Sequence, residues 1–267
     1  MAIPISRVDL FDTIKRMSRS LKLFRIFIIS LILTIVIVSL KYVLHYIGWE
    51  PIEQTSLHNS VISSVTFVIG FLLSATIADY KESERIPSDF ASNIEDMYND
   101  AEQIHKAYPS FDLVKFKKQL HTVALGFRQD ARKKSYDIRE DIRALGLYFA
   151  AMESGKVPPN FIVKLKQQQA QLLRSRQRVD YIQKIKFIPS ATILARSIVI
   201  AVIALILLTN IDPFYGGLVI SGIISFTLMY MLILIQVIST PFHEAGKTQD
   251  DVSLYLINDA AEYLSKK

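Results

Sequence analysis

Four long apolar stretches, joined by connections of very different charge, limit this chain more than any other feature. They fall at about residues 23–46, 61–78, 193–208 and 218–239, close to the ~20 residues a helix needs to cross a hydrocarbon core. Inside a bilayer the backbone must satisfy its own hydrogen bonds, and segments of this length do so as helices. The expected class is therefore all-α: a polytopic membrane protein with four transmembrane helices per subunit and a cytosolic helical bundle. The expected order is a cytosolic or interfacial lead-in at 1–22, helices one and two within 23–80, and a cytosolic helical domain at 81–188. Helices three and four lie within 189–240, and a cytosolic tail follows at 241–267.

Charge gives the orientation. The chain is 51% hydrophobic yet 21% charged, and the charges are confined to particular connections, which excludes an ordinary soluble domain. Arg7, Lys15, Arg16, Arg19, Lys22 and Arg25 precede or begin the first stretch, and most of the other basic residues lie between the second and third. The short connections at 48–59 and 209–217 hold no Lys or Arg at all. Basic residues are retained on the cytoplasmic side. Both termini and the large middle region are thus expected inside, with the short connections outside, in the cell's inner membrane. The net charge of +6 is topological on this reading and does not mark a nucleic-acid partner.

Residues 1–22 read as an amphipathic lead-in, with Val8, Leu10, Phe11, Ile14 and Met17 at helical spacing. Near the outer end of the first span, Lys41 and His45 are expected to snorkel to headgroups, with Tyr42, Tyr46 and Trp49 as an aromatic belt. The second span should continue as a helix until Pro87, where Ser88 caps a new helix through about Ala107. Further helices are expected at about 111–135, 138–153 and 161–187. Arg174, Arg176 and Arg178 alternate around the last of these and read as a solvated face. Gly217, Ser221, Gly222 and Ser225 read as close-packing positions in the fourth span. The tail from Asp250 to Leu264 reads as a short docked helix carrying Val252, Leu254, Leu256, Ile257, Ala261 and Leu264.

Signals for enzyme chemistry are poor. The chain has no cysteine, so it has neither a disulfide framework nor thiol chemistry. Its five histidines form no metal-binding pair. Gly246-Lys247-Thr248 looks like the end of a phosphate-binding loop but lacks the earlier glycine. Glu140 and Asp141, flanked by Arg139 and Arg143, read as a solvated charged face. No catalytic residue, metal or cofactor is expected.

The second span is the remaining candidate. It reads VTFVIGFLL over residues 65–73, and steps of three and four collect Ser60, Ser63, Ser64, Phe67, Phe71, Ser74 and Ala78 on one helical face. Small hydroxyl residues and two phenylalanines on one side fit two readings: a pore lining with an aromatic constriction, or close packing between helices.

The run Thr66-Phe67-Val68-Ile69-Gly70-Phe71, with Tyr80 and Ile86-Pro87-Ser88-Asp89 downstream, resembles the bestrophin family. So does the exit of the fourth span through Gln236-Val237-Ile238-Ser239-Thr240-Pro241-Phe242. The resemblance implies a bestrophin-like fold of prokaryotic type and a pentameric chloride channel. In that family this helix lines the pore, and the matching neck positions here are Ser63, Phe67 and Phe71. On the pore reading of the helical face, Ser60, Ser64, Ser74 and Ala78 are expected to line the pore, with inner pore charge at Asp79 and Glu82. The chain also departs from the family pattern. Ser63 replaces a bulky aliphatic residue, and Asp79 stands where anion-selective relatives tend to carry a basic one. The segment after Pro241-Phe242 lacks the uninterrupted acidic run of the animal calcium clasp.

The leading expectation is a homo-oligomeric, pentameric ion channel in a lipid bilayer. It would pass chloride or other small anions in preference to monovalent cations. The alternative is a membrane-anchored scaffold or sensor whose cytosolic helices bind a partner protein. A coupled transporter ranks third, because repeats and broken helices are missing.

Overall fold

The computed structural model describes residues 24–109, 111–132, 136–184, 189–242 and 251–266. The amphipathic lead-in at 1–22, the Gly246-Lys247-Thr248 run and the segment compared with the calcium clasp lie outside the described residues. The elements are α1 (Arg25–Ile47), β1 (Ile52–Glu53), α2 (Ser56–Ala107), α3 (Leu113–Asp130), α4 (Arg139–Ala144) and α5 (Gly146–Ser154). They continue with α6 (Pro159–Lys184), α7 (Pro189–Leu208), β2 (Thr209–Asn210), α8 (Phe214–Ile238) and α9 (Tyr255–Lys266). Four of them, α1, the first part of α2, α7 and α8, are long and apolar enough to cross a membrane.

The chain forms two compact units that divide α2 between Asp79 and Tyr80. The first contains α1, β1, the start of α2, α7, β2 and α8. Its core joins Ile69 of α2 to Ala195, Val199, Val202 and Ile206 of α7 and to Leu228, Leu232 and Ile235 of α8. The α7 residues recur every three or four positions, which puts them on one face. Helix α1 packs along α8 through small residues. A side chain at Gly222 would come within 3.4 Å of Val38, and Ser221 and Ser225 are buried. Gly217 sits tighter still, because an added Cβ would lie 2.3 Å from Ile211 in the connection before α8. The small residues of the fourth span are there for close approach, as expected. Ile52 pairs with Thr209 and Glu53 with Asn210, in parallel, so the two short connections are stitched together.

The second unit is a helical bundle around Phe90, Ile94, Met97, Phe116, Leu120, Phe127, Ile142, Phe149, Leu165 and Leu172. Phe90 stacks on Phe127 with ring centroids 4.0 Å apart. Helix α3 starts at Asp112, whose side chain accepts from the Lys115 amide at 3.0 Å. Tail residues Val252, Leu254, Ile257 and Leu264 are buried in the same core, and the Val252 amide donates to the Pro241 carbonyl at 2.9 Å. The docked C-terminal helix is thus present.

Three local expectations are corrected. Helix α2 does not end at Pro87 but runs 52 residues with that proline inside it. Ser88 is therefore not a cap. Ile86, Pro87 and Phe90 are all buried, and this packing holds the helix together where proline removes one backbone hydrogen bond. The single helix expected at 138–153 is two, α4 and α5, joined at Leu145, which is fully buried. Arg176 is not solvated. It is 11% exposed and reaches Asp130 at 2.8 Å, Asp180 at 3.5 Å and Asp137 at 3.7 Å.

Candidate functional site

The candidate site is one face of α2. Within the first unit Ile62, Val65, Ile69, Leu72 and Leu73 turn towards the core. The opposite face presents Ser60, Ser63, Ser64, Ser74 and Ala78, all exposed, with Phe67 at 76% and Phe71 at 68% exposure. The seven side chains expected to share a stripe do so. Hydroxyls on both faces are tied back to the helix. Ser60 donates to the Ser56 carbonyl at 3.2 Å and Ser64 to the Ser60 carbonyl at 2.8 Å. Thr66 and Thr76 do the same at 2.8 Å each. Such bonds let a helix carry polar residues at membrane depth without orphaned donors.

The other spans differ. Helix α1 turns Ser30 and Thr34 inward, and α8 buries Ser221 and Ser225. Their exposed positions are almost all aliphatic or aromatic: Phe27, Ile32, Ile35 and Val36 on α1, and Val219, Ile220 and Ile223 on α8. That composition suits lipid tails. Helix α2 alone sets four exposed serines beside two exposed phenylalanines.

The two acidic positions are placed differently. Asp79 is exposed and, one residue after Ala78, stands about 100° around the helix from it, on the flank of the stripe. Glu82 lies one turn after Ala78, in the second unit. There Arg178 of α6 donates to its carboxylate at 2.7 Å. Nearby, Arg85 pairs with Asp89 at 3.5 Å. A polar groove of about 400 Å³ runs between α2 and α6 and is lined by Asp89, Asn93, Asp96, Gln171 and Arg174. Among the described residues no group of three or more His, Asp and Glu side chains converges as a metal-ligand set.

Sequence reasoning missed the most deeply buried charge among the described residues of the first unit. Lys41 does not snorkel. It is 1% exposed, and its ammonium donates to Glu50 Oε1 at 2.5 Å, to the Leu207 carbonyl at 3.4 Å and to the Thr209 carbonyl. His45 Nδ1 contacts Glu50 Oε2 at 2.7 Å, and its ring stacks on Phe214 at 3.7 Å. Burial by itself would raise the Glu50 pKa, but hydrogen bonds and charge from Lys41 and His45 outweigh it and hold the carboxyl below its ordinary value. A signal existed in the sequence. Lys41 and His45 are four apart on one face, with two acids, Glu50 and Glu53, in the connection that follows. Tyr42, Tyr46 and Trp49 are exposed, as a belt requires.

In the second unit the polar pairs brace helices. Arg176 joins α3 to α6, Gln169 donates to the Ile142 carbonyl at 2.7 Å, and Gln183 donates to the Ala131 carbonyl at 2.7 Å. Tyr136 donates to Asp141, which together with burial pushes the phenol up to about 12. Asp137 is held down at about 2, chiefly by the hydrogen bond from Arg139, with Arg176 adding to it. Glu140 pairs with Arg143 at 2.7 Å on the exposed surface.

No protein-family model and no curated protein matches the chain. Solved structures do. A bacterial bestrophin homologue from Klebsiella pneumoniae superposes with a TM-score of 0.76 at 14% identity, over 90% of this chain and 97% of that one. Point variants of that homologue superpose at 0.76 with 15% identity over the same shares, and at 0.73 with 14% identity over 92% and 98%. The class this defines is an all-α membrane fold. The chain has the bestrophin-like fold, whose layout, four membrane-length helices and a helical bundle, it reproduces over nearly its whole length.

Proposed function

We propose that this chain is one subunit of a homo-oligomeric, pentameric ion channel whose pore is lined by α2. The observation that carries the reading is the exposed face of that helix. Phe67 and Phe71 are 76% and 68% exposed beside Ser60, Ser63, Ser64 and Ser74, whereas Ser30 and Thr34 of α1 and Ser221 and Ser225 of α8 are buried. A face of this kind suits a water-filled axis shared by several copies, since a single chain has too few spans to enclose a pore of its own. Copies of Phe67 and Phe71 then form two apolar rings, a neck that gates by dewetting. Ser63 widens the neck on the side of the short connections. Ser60, Ser64, Ser74 and Ala78 line the rest, and Asp79 and Glu82 set the charge at the inner end.

The permeant species are small inorganic ions, chloride and similar anions first. Ring edges carry partial positive charge and tolerate an anion without holding it, and the basic excess of the middle region draws anions inward. Monovalent cations are the second reading, and specific observations favour it. Asp79 is an acid beside the stripe, and Arg85, Arg176 and Arg178 are already engaged by carboxylates. The charge pattern of the sequence supports an inner-membrane location, with both termini and the second unit in the cytoplasm. This reading assigns no catalytic residue and no cofactor.

Recording from purified protein in planar bilayers under a salt gradient tests it. Unitary currents reversing near the anion potential are expected. Reversal at the cation potential, moved by Asp79→Asn, supports the second reading. No conductance at any voltage or calcium level refutes the channel and favours a membrane-anchored scaffold binding a partner protein.

A further inference from the structure

A lysine inside an apolar span is costly unless its charge is met, and here the partner does more than neutralise it. The Glu50 carboxylate is 6% exposed and uses both oxygens, one towards Lys41 at 2.5 Å and one towards His45 at 2.7 Å. The same ammonium grips carbonyls at the end of α7 and in β2. The Leu207 carbonyl belongs to the last turn of α7, where the helix dipole is negative. Three elements therefore meet at one charged knot: the last turns of α1, the end of the third span, and the connection that leads through β1 into α2. Only Ile52–Glu53 and a two-residue link separate Glu50's segment from Ser56, where the candidate pore helix begins.

We propose that Lys41, Glu50 and His45 form a proton-labile clamp that fixes the first turn of α2 at the pore mouth. Glu50 is then a positioning residue for conduction. This rests on the channel reading above. With Glu50 ionised, its carboxylate accepts from the Lys41 ammonium and contacts the His45 ring, and the start of α2 is held. A proton on Glu50 removes the countercharge of a buried ammonium and one acceptor, and α1 and the β1 connection part. The elements packed around the knot carry few other ionisable groups. These are Tyr42 and Tyr46 on α1, Glu53 in β1, His58 in the first turn of α2, Asp212 in the second connection, and Tyr215 at the start of α8. His58 is engaged by Thr55 at 2.8 Å. The carboxyl is held below its ordinary range, so the clamp is intact above that range and is lost as pH falls through the depressed value.

The absence of native cysteine makes the test direct. Full-length Ser56→Cys protein is spin-labelled and reconstituted in vesicles. The pH on the side of the short connections is lowered stepwise from neutral to about 2, well past the ordinary glutamate range near 4.3. The mobile fraction of the label is expected to rise severalfold, reversibly, with a parallel change in ion flux. In a Lys41→Met/Glu50→Gln background both charges leave together, a replacement that buried pairs tolerate, and the label is expected not to respond to pH. His45→Gln, which keeps the Lys41 contact, moves the response to higher pH. A flat response in Ser56→Cys protein, or the same response in the double background, overturns the clamp. Absence of flux at every pH, with the label response intact, instead refutes the channel reading and leaves the clamp standing.

Discussion

The proposed phenylalanine neck is open to a test that separates pore lining from packing. A buried phenylalanine truncated to alanine costs about 3–5 kcal/mol. Phe90 sets that scale here, being fully buried and stacked on Phe127. Phe67 and Phe71 are 76% and 68% exposed, so each has only a quarter to a third of its surface covered and should cost about 1 kcal/mol. Near the conversion of about 2–4 °C per kcal/mol for chains of this size, Phe90→Ala should lower the thermal midpoint by about 10 °C. Phe67→Ala or Phe71→Ala should lower it by about 3 °C. Heating purified protein in detergent while following light scattering gives the first number. Bilayer recording gives the second, where the double variant Phe67→Ala/Phe71→Ala should raise unitary conductance or open probability severalfold. If Phe67→Ala destabilises as much as Phe90→Ala, the ring is packed and the pore face is misassigned. If stability is spared and currents do not change, the two rings are not the constriction.

Other consequences follow from the second unit. Gly126→Ala puts a methyl carbon 2.7 Å from the Tyr136 ring. It should cost about 1–3 kcal/mol and be relieved by Tyr136→Leu; an unshifted midpoint contradicts that contact. Arg176→Met takes the guanidinium from Asp130, while Asp180 keeps Lys184 at 2.9 Å. It should cost about 2 kcal/mol, since the pair is only partly buried. Asp130→Asn added to it should recover part of the loss in the same melting assay. Asp137 is held at about 2, first by the Arg139 hydrogen bond. Its contribution is present above the ordinary aspartate range near 3.9 and is lost as pH falls towards 2. Acid unfolding of Asp137→Asn should therefore lack the component of the wild-type profile that lies below pH 3.9, and identical profiles would refute this.

Much of the layout was legible because it rests on short-range physics. The span lengths follow from the backbone's need to satisfy itself in hydrocarbon. The stripe from Ser60 to Ala78 follows from 3.6 residues per turn, and the docked tail from the apolar spacing around Ile257 and Leu264. Pro87 misled because a local rule about a missing N–H was overridden by packing of Ile86 and Phe90 in a core built from distant segments. Arg176 misled for the same kind of reason. Its carboxylate partners lie on α3, before α4 and one turn along α6, and a helical wheel of α6 cannot reveal the first two. Lys41 looked like a snorkelling residue because its position near a span end was visible, while the carbonyls of Leu207 and Thr209, over 160 residues away, were not.

The sequence by itself determined how many helices this protein can place in a bilayer and which face of the second one is unlike the rest. Both depend on the order of apolar and polar residues along one helix. Only the tertiary structure decided which of those faces is left uncovered and which charges are spent on one another. Exposure of Phe67 and Phe71, burial of Lys41 and engagement of Glu82 by Arg178 are properties of neighbours brought together by folding, and no local pattern carries them.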